Sequence, residues 1–329
     1  MFSLVRASSL IRAGINAGRV RFTGARRPPA ARIQVTRRCP LNCEYCHPPP
    51  ESDAEMTARQ ILGVMEQLRA LGCLRISFSG GEPMVRRDID FLVDSCAALG
   101  MAPEMNSSGM GFARRVHQMR NLKLLKLSLD GPEKIHDRVR GRAGAYREVR
   151  RALQAATEAG IRTVLVCTIT RHNVDELDHV LDLAGRHGAF AAFQPIKPYY
   201  RGQEDVDHLL PEPRVMQEAL QRLQRRQADG DGAILRNSSA SFDHMAHWPR
   251  YGPLRCWAGR IFCIVGTDGT LYPCDRSRID APLPSCLQMG VARALQLLPD
   301  PQCDGCGFCG ALELNFAMAL DLRVATTIL

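Results

Sequence analysis

"RRCPLNCEYCHPPP" (residues 37–50) sets Cys39, Cys43 and Cys46 at Cys-x3-Cys-x2-Cys spacing, with Tyr45 before the last thiol and a proline run behind it. Three thiols on one short loop read as ligands, and their number matters. A structural zinc closes its tetrahedron with four ligands. An iron–sulfur cubane held by three protein thiolates keeps one iron open for a substrate or cofactor. The triplet by itself leaves both readings standing, because a distant fourth ligand would complete a zinc site.

The stretch feeding this loop, "ARIQVT" (31–36), has strand character. Five more such runs come after it: "LRISFS" (74–79), "MAPEMNS" (101–107), "LLKLSL" (124–129), "RTVLVCTIT" (162–170) and "AFAAFQPI" (189–196). Helical periods lie between them. Ile61, Leu62, Met65, Leu68 and Leu71 align on one face, as do Val149, Leu153 and Ala156, and then Leu177, Val180, Leu181 and Ala184. Strand alternating with helix predicts parallel strands joined by right-handed crossovers, as a partial barrel or a doubly wound sheet. Either architecture gathers chemistry at the carboxyl edge of the strands.

At that edge the second strand runs into Gly80, Gly81, Glu82 and Pro83. Paired glycines allow backbone to approach a ligand closely, and a glutamate accepts charge-assisted bonds from an ammonium group. The cysteine loop and "GGEP", one strand apart, together resemble the radical S-adenosylmethionine (radical SAM) superfamily over about residues 31–200. The resemblance implies a partial (β/α)6 TIM-like barrel and a [4Fe–4S] cluster on Cys39, Cys43 and Cys46. It implies that the open iron is chelated by S-adenosylmethionine, whose amino group is held by the motif Gly80-Gly81-Glu82-Pro83. It further places Asn106, Ser107 and Ser108 ("MNSSG") near the cofactor, Ser128 and Asp130 ("SLDG") on ribose hydroxyls or substrate, and Gln194 at the adenosine end. Asp130 reads equally as a turn residue before Gly131. Arg138 and Arg140 suit carboxylate recognition or an exposed pair. His47 is a substrate-side group or an exposed loop histidine.

After Pro198 the alternation stops. Both tryptophans and seven of the thirteen cysteines lie beyond Asn237, with an Asp268-Gly269 hairpin signal between apolar runs. Cys256 and Cys274 bracket that hairpin, and Cys303, Cys306 and Cys309 form a tight triplet. The Cys256…Gly269…Cys274 opening resembles the SPASM or twitch extension of radical SAM enzymes, although no cysteine follows Cys309 as the longer extension requires. One auxiliary [4Fe–4S] cluster on Cys256, Cys274 and two of the terminal triplet is expected. Cys263 and Cys286 leave room for a second, and zinc is the other reading. Cys73, Cys96 and Cys167 read as core residues. The expected organisation is a basic lead-in helix (1–30), the barrel (31–210) and a small cysteine-rich α+β extension (235–329).

The net charge of +9 is carried almost wholly by arginine, and residues 1–43 contain no acidic side chain. No basic stretch is interleaved with aromatics, which argues against nucleic-acid binding. The arginine-studded N-terminus reads as an amphipathic helix that covers one end of the barrel or makes peripheral membrane contact. Clustered thiols in a chain this long point to a reducing, cytoplasmic setting.

The function expected is reductive cleavage of S-adenosylmethionine to a 5′-deoxyadenosyl radical and hydrogen abstraction from a peptide or a small molecule such as a cofactor precursor. The resemblance implies a low-potential electron donor such as flavodoxin or ferredoxin. Many peptide-modifying relatives carry an added recognition domain, for which this sequence has no room before Arg32, and that favours a small molecule. The alternative is a non-catalytic zinc-binding scaffold with a basic nucleic-acid-binding surface, which would tolerate Glu82→Gln.

Overall fold

The computed structural model describes residues 18–46, 54–197, 206–274, 279, 281–303 and 305–328. Most of the expected lead-in helix and His47 lie outside the described residues. The six expected strands all form: β1 (Ala30–Thr36), β2 (Arg75–Gly80), β3 (Ala102–Ser107), β4 (Leu124–Ser128), β5 (Thr163–Ile169) and β6 (Phe190–Pro195). They pair in parallel in chain order, each beside the one before. This is the open partial barrel of the α/β class.

The sheet does not stop there. The hairpin of the C-terminal extension supplies β7 (Phe262–Val265) and β8 (Leu271–Tyr272), and β7 runs parallel to β1 with Ile33 opposite Val265. The strand order is therefore β6-β5-β4-β3-β2-β1-β7-β8. The edge of β1 that a six-stranded barrel leaves open is thus covered by the extension, which satisfies a row of unpaired backbone groups.

Local chemistry explains the helices. Ala58–Ala70 starts at a capping box, in which Gln60 N donates to Thr57 Oγ1 and Thr57 N donates to Gln60 Oε1. Its buried face is Ile61, Val64, Met65 and Leu68, worth roughly 1.5–3 kcal/mol each relative to exposure. Leu62 and Leu71 only pack against the edge of the core. Ala145–Glu158 buries Val149, Leu153 and Ala156 as expected, and Gly160, at φ +68°, follows its end. Leu177–Arg186 likewise buries Leu177, Val180, Leu181 and Ala184. β5, "TVLVCTI", is buried on both faces, as a central parallel strand requires.

A second, smaller apolar cluster seats the extension. Val20 from a helical stretch at 18–23 packs with Trp257, Ala258, Ile261, Phe262, Cys274, Ala311 and Met318. Among the described residues no helix is long and apolar enough to cross a membrane.

Candidate functional site

The cysteine loop begins where β1 loses register. The ladder to β2 shifts between Gln34 and Thr36, and such an irregularity bends a strand and re-aims the residues beyond it. Arg86, almost fully buried, donates from Nη1 to the carbonyls of Val35 at 2.7 Å and Met56 at 2.9 Å, and its other edge grips Asp88. Thr36 Oγ1 and Arg37 N both donate to Glu55. The exit from β1 is thus fixed before the first cysteine.

The two glycines after β2 meet that exit. Gly81 N donates to the Thr36 carbonyl at 2.7 Å and Glu82 N to the Arg38 carbonyl at 2.9 Å. A Cβ on Gly80 would strike the Thr36 carbonyl oxygen, and one on Gly81 the carbonyls of Arg37 and Arg38. Gly80 also holds φ +132°, which side chains rarely adopt. The close approach these glycines permit is to the cysteine loop itself.

Glu82 is fully buried. Its Oε1 accepts from Met84 N (3.1 Å) and Ser107 Oγ (2.9 Å), and its Oε2 from Ser108 N (2.7 Å) and Ser108 Oγ (2.5 Å). Burial pushes its carboxyl above the ordinary value, while these donors pull the other way. The structure thus joins three of the expected cofactor residues, Glu82, Ser107 and Ser108, in one network. Asn106 instead donates to Ser77 Oγ at 3.2 Å, and Pro83 is buried at the start of a short 3-10 turn. Ser128 sits half-buried at the carboxyl end of β4.

Asp130 is fully buried and already engaged. Its Oδ2 accepts from Arg140 Nε (2.7 Å) and Tyr45 OH (3.1 Å), and Oδ1 from Thr168 N (3.3 Å). Arg140 reaches on: its Nη1 lies 3.9 Å from Cys43 Sγ, and its guanidinium stands 5.3 Å from the Tyr45 ring centroid. Burial opposes its charge, but Asp130, Tyr45 and Cys43 outweigh that and hold the guanidinium well above its ordinary pKa. The backbone closes the same contact, since Asn42 N and Glu44 N donate to the carbonyls of Arg140 and Val139. Gly141, at φ +63°, has no space for a Cβ beside Asn42. Thr168 continues the chain of contacts: its Oγ1 accepts from Gln194 Nε2 at 3.2 Å, and Gln194 Oε1 accepts from Cys309 Sγ at 3.6 Å. Sequence reasoning missed Thr168 and the inward role of Arg140. The signal for Arg140 was its spacing from Asp130, legible only once the short helix Glu133–Val139 is known to lie between them with Arg140 at its end.

Beside the loop lies an open cleft of about 710 Å³ lined by Glu44, Arg138, Arg171, His172 and His208. Glu44 pairs with His172 Nε2 at 3.3 Å and with Arg138 Nε at 3.7 Å.

Residues 33–184 match the family model of the Radical SAM superfamily. That segment, which holds the cysteine loop and the Gly80–Pro83 turn, is a radical SAM domain. It is 33% identical over 168 residues to the PqqA peptide cyclase of Streptomyces rochei, covering 49% of this chain and 46% of that one. It is 28% identical over 252 residues to the mycofactocin maturase MftC of Mycolicibacterium smegmatis, covering 73% of this chain and 62% of the relative. The chain therefore spans about half to two thirds of these relatives' lengths. The Streptococcus suis SuiB structure bound to precursor peptide SuiA superposes with a TM-score of 0.67 at 15% identity, over 87% of this chain and 69% of that one. The anSMEcpe structure with bound AdoMet gives 0.64 at 18%, over 82% and 80%. At these identities the likeness is one of fold.

The radical SAM family's cofactors, a [4Fe–4S] cluster and S-adenosylmethionine, are tested by the donors present. Cys39 and Cys46 are exposed and Cys43 half-buried, none in a disulfide, at the carboxyl edge of the sheet. A buried guanidinium nitrogen of Arg140 stands 3.9 Å from the Cys43 sulfur. Among the described residues no three His, Cys, Asp or Glu side chains close around a single metal ion. A cubane asks less closure, because each thiolate binds a different iron. The donor set fits the cluster.

In the C-terminal extension, Cys274, Cys256 and Cys306 share the small apolar cluster, and Cys303 lies close enough to influence the Cys256 thiol. Trp257 N donates to Asn315 Oδ1 at 3.0 Å, leaving the buried Asn315 Nδ2 without an ordinary partner beside Cys256. That orphaned donor suits a sulfur ligand. Gly305 and Gly307 seat the triplet on Tyr251, whose ring a Cβ at either would strike. Cys263 and Cys286 sit in the main core, as do Cys73, Cys96 and Cys167. Burial pushes the thiol of Cys73 up to about 11 and that of Cys96 to about 12.

Proposed function

We propose that this radical SAM chain cleaves S-adenosylmethionine reductively and abstracts hydrogen from a peptide. The observation that carries this reading is the docking of the Cys39–Cys46 loop onto the Gly80-Gly81-Glu82 turn through the Gly81 and Glu82 amides. Cys39, Cys43 and Cys46 would hold the [4Fe–4S] cluster. Gly80, Gly81, Glu82, Pro83, Asn106, Ser107, Ser108, Ser128 and Gln194 border the space for S-adenosylmethionine. When bound, the cluster supplies one electron that cleaves the sulfonium to a 5′-deoxyadenosyl radical, the species that takes hydrogen from substrate.

The chain's own residues position and shield. Four donors fill the acceptor sites of Glu82. An ammonium group reaches it by displacing a serine hydroxyl, since the Ser107 and Ser108 hydroxyls rotate and the backbone amides do not. Asp130 holds Arg140 and would meet a ribose hydroxyl or substrate with its remaining acceptor capacity. Cys256, Cys274 and two of Cys303, Cys306 and Cys309 would carry an auxiliary [4Fe–4S] cluster.

A peptide is favoured over a small molecule because the Streptomyces relative is a peptide cyclase. The cleft, with Arg138 and Arg171 against one glutamate, suits a carboxylate on that peptide. Thirteen cysteines with no disulfide among them fit a reducing cytoplasm with a flavodoxin or ferredoxin as electron donor.

The test is anaerobic reconstitution with iron and sulfide, addition of dithionite, and chromatographic detection of 5′-deoxyadenosine. The wild type is expected to form it and Cys43→Ala to abolish it. Alanine at Cys303, Cys306 and Cys309 together is expected to lower bound iron while cleavage persists. Iron-loaded wild type that forms no 5′-deoxyadenosine would refute the proposal.

A further inference from the structure

The buried charges around Cys43 go beyond ligation. We propose that Arg140 is a positioning residue that sets the reduction potential at the Cys39–Cys43–Cys46 site, with Asp130 as its counterweight; this rests on the radical SAM reading above. Arg140 puts one guanidinium nitrogen 3.9 Å from Cys43 Sγ, and its side chain is 9% exposed. Asp130, fully buried, accepts from the Nε of the same guanidinium at 2.7 Å. Solvent screens neither charge much, so both act on the thiolate at short range. A positive charge there stabilises the more negative, reduced state of a bound cluster. The buried carboxylate offsets part of that effect.

The two residues must then act in opposite directions. Removing Arg140 makes reduction harder, and neutralising Asp130 makes it easier. A pair that only held the loop in place would shift the potential in one direction or not at all. The contact is well fixed for this role, because Tyr45 stacks on the guanidinium and the Asn42 and Glu44 amides bind the carbonyls at 140 and 139.

The experiment is an EPR-monitored redox titration of the anaerobically reconstituted full chain, without S-adenosylmethionine, alongside iron and sulfide analysis. Arg140→Met is expected to lower the equilibrium constant for one-electron reduction about tenfold, a shift of about 59 mV to more negative potential. Arg140→Lys, which keeps the charge without the planar fork, should fall between Arg140→Met and the wild type. Asp130→Asn should raise the potential, by roughly threefold in the same constant. If Arg140→Met takes up no cluster, Arg140→Lys and Asp130→Asn decide by the same rule. Shifts of one sign in the arginine and aspartate variants, or none in either, overturn the proposal. A wild type with no reducible [4Fe–4S] signal would refute the radical SAM reading instead, a separate and visible failure.

Discussion

Exchanging Glu82 for glutamine tests the site at its most constrained point. The side chain keeps its shape, so the effect comes from hydrogen-bond chemistry alone. Both carboxylate oxygens of Glu82 face a backbone amide, Met84 N on one and Ser108 N on the other. Glutamine offers one acceptor oxygen and one NH2 group. Whichever way the amide is turned, its NH2 meets a backbone N–H that cannot rotate away. One buried donor is left without an acceptor, at about 1–3 kcal/mol. The bonds that remain lose charge assistance, and the lower burial cost of a neutral group offsets part of that loss. The net expectation for Glu82→Gln is a destabilisation of about 2 kcal/mol. Urea denaturation of the metal-free chain, monitored by the fluorescence of the buried Trp248 and Trp257, measures it. With a slope of about 2 kcal/mol per molar, the midpoint falls by about 1 M. Ser108→Ala in the Glu82→Gln background should cost less than the two changes summed, because they share one network. A midpoint within about 0.25 M of wild type at unchanged slope would refute the reasoning, and would equally fit the tolerance expected of a zinc scaffold.

The same geometry sets two further outcomes. Gly81→Ala drives a methyl group into the carbonyls of Arg37 and Arg38; it should cost about 1–3 kcal/mol and reduce iron uptake at the cysteine loop, both readable on the reconstituted chain. His136, buried with its Nδ1 accepting from Asp130 N, has its pKa pushed down to about 4 by burial first and then by Arg140. The unfolded chain binds this proton near pH 6.5 and the folded one near 4, so stability is full above about 6.5 and is lost as pH falls toward 4. About 2 kcal/mol should be gone by pH 5, and His136→Gln should flatten the urea midpoint against pH over that window. An unchanged slope in the variant would show that other groups carry the acid sensitivity.

Much of the fold was legible in the residues. Period and alternation are local properties, and they located the six barrel strands and the buried faces at 149–156 and 177–184. The buried face of Ala58–Ala70 is less legible. Val64 turned inward and Leu62 and Leu71 moved to its rim, because the neighbouring elements decide which arc of an apolar helix is covered. The cysteine triplet and Gly80–Pro83 were legible as motifs, since ligand chemistry and glycine's freedom show in residue type. Their expected partner was a ligand. The glycines also meet the Thr36, Arg37 and Arg38 carbonyls, a proximity set by register across two strands.

The sequence by itself determined the alternation of strand and helix, the three-thiol loop and the second group of cysteines, because each depends on neighbours within a few turns of chain. Tertiary structure alone decided that β7 closes the open edge of β1, that Arg140 turns inward to Asp130 and Cys43, and that Gln194 meets Cys309. The physical reason is that hydrogen bonds and charge pairs act over a few ångströms of space. Residues 97 and 115 positions apart become neighbours only when the sheet brings the ends of its strands together.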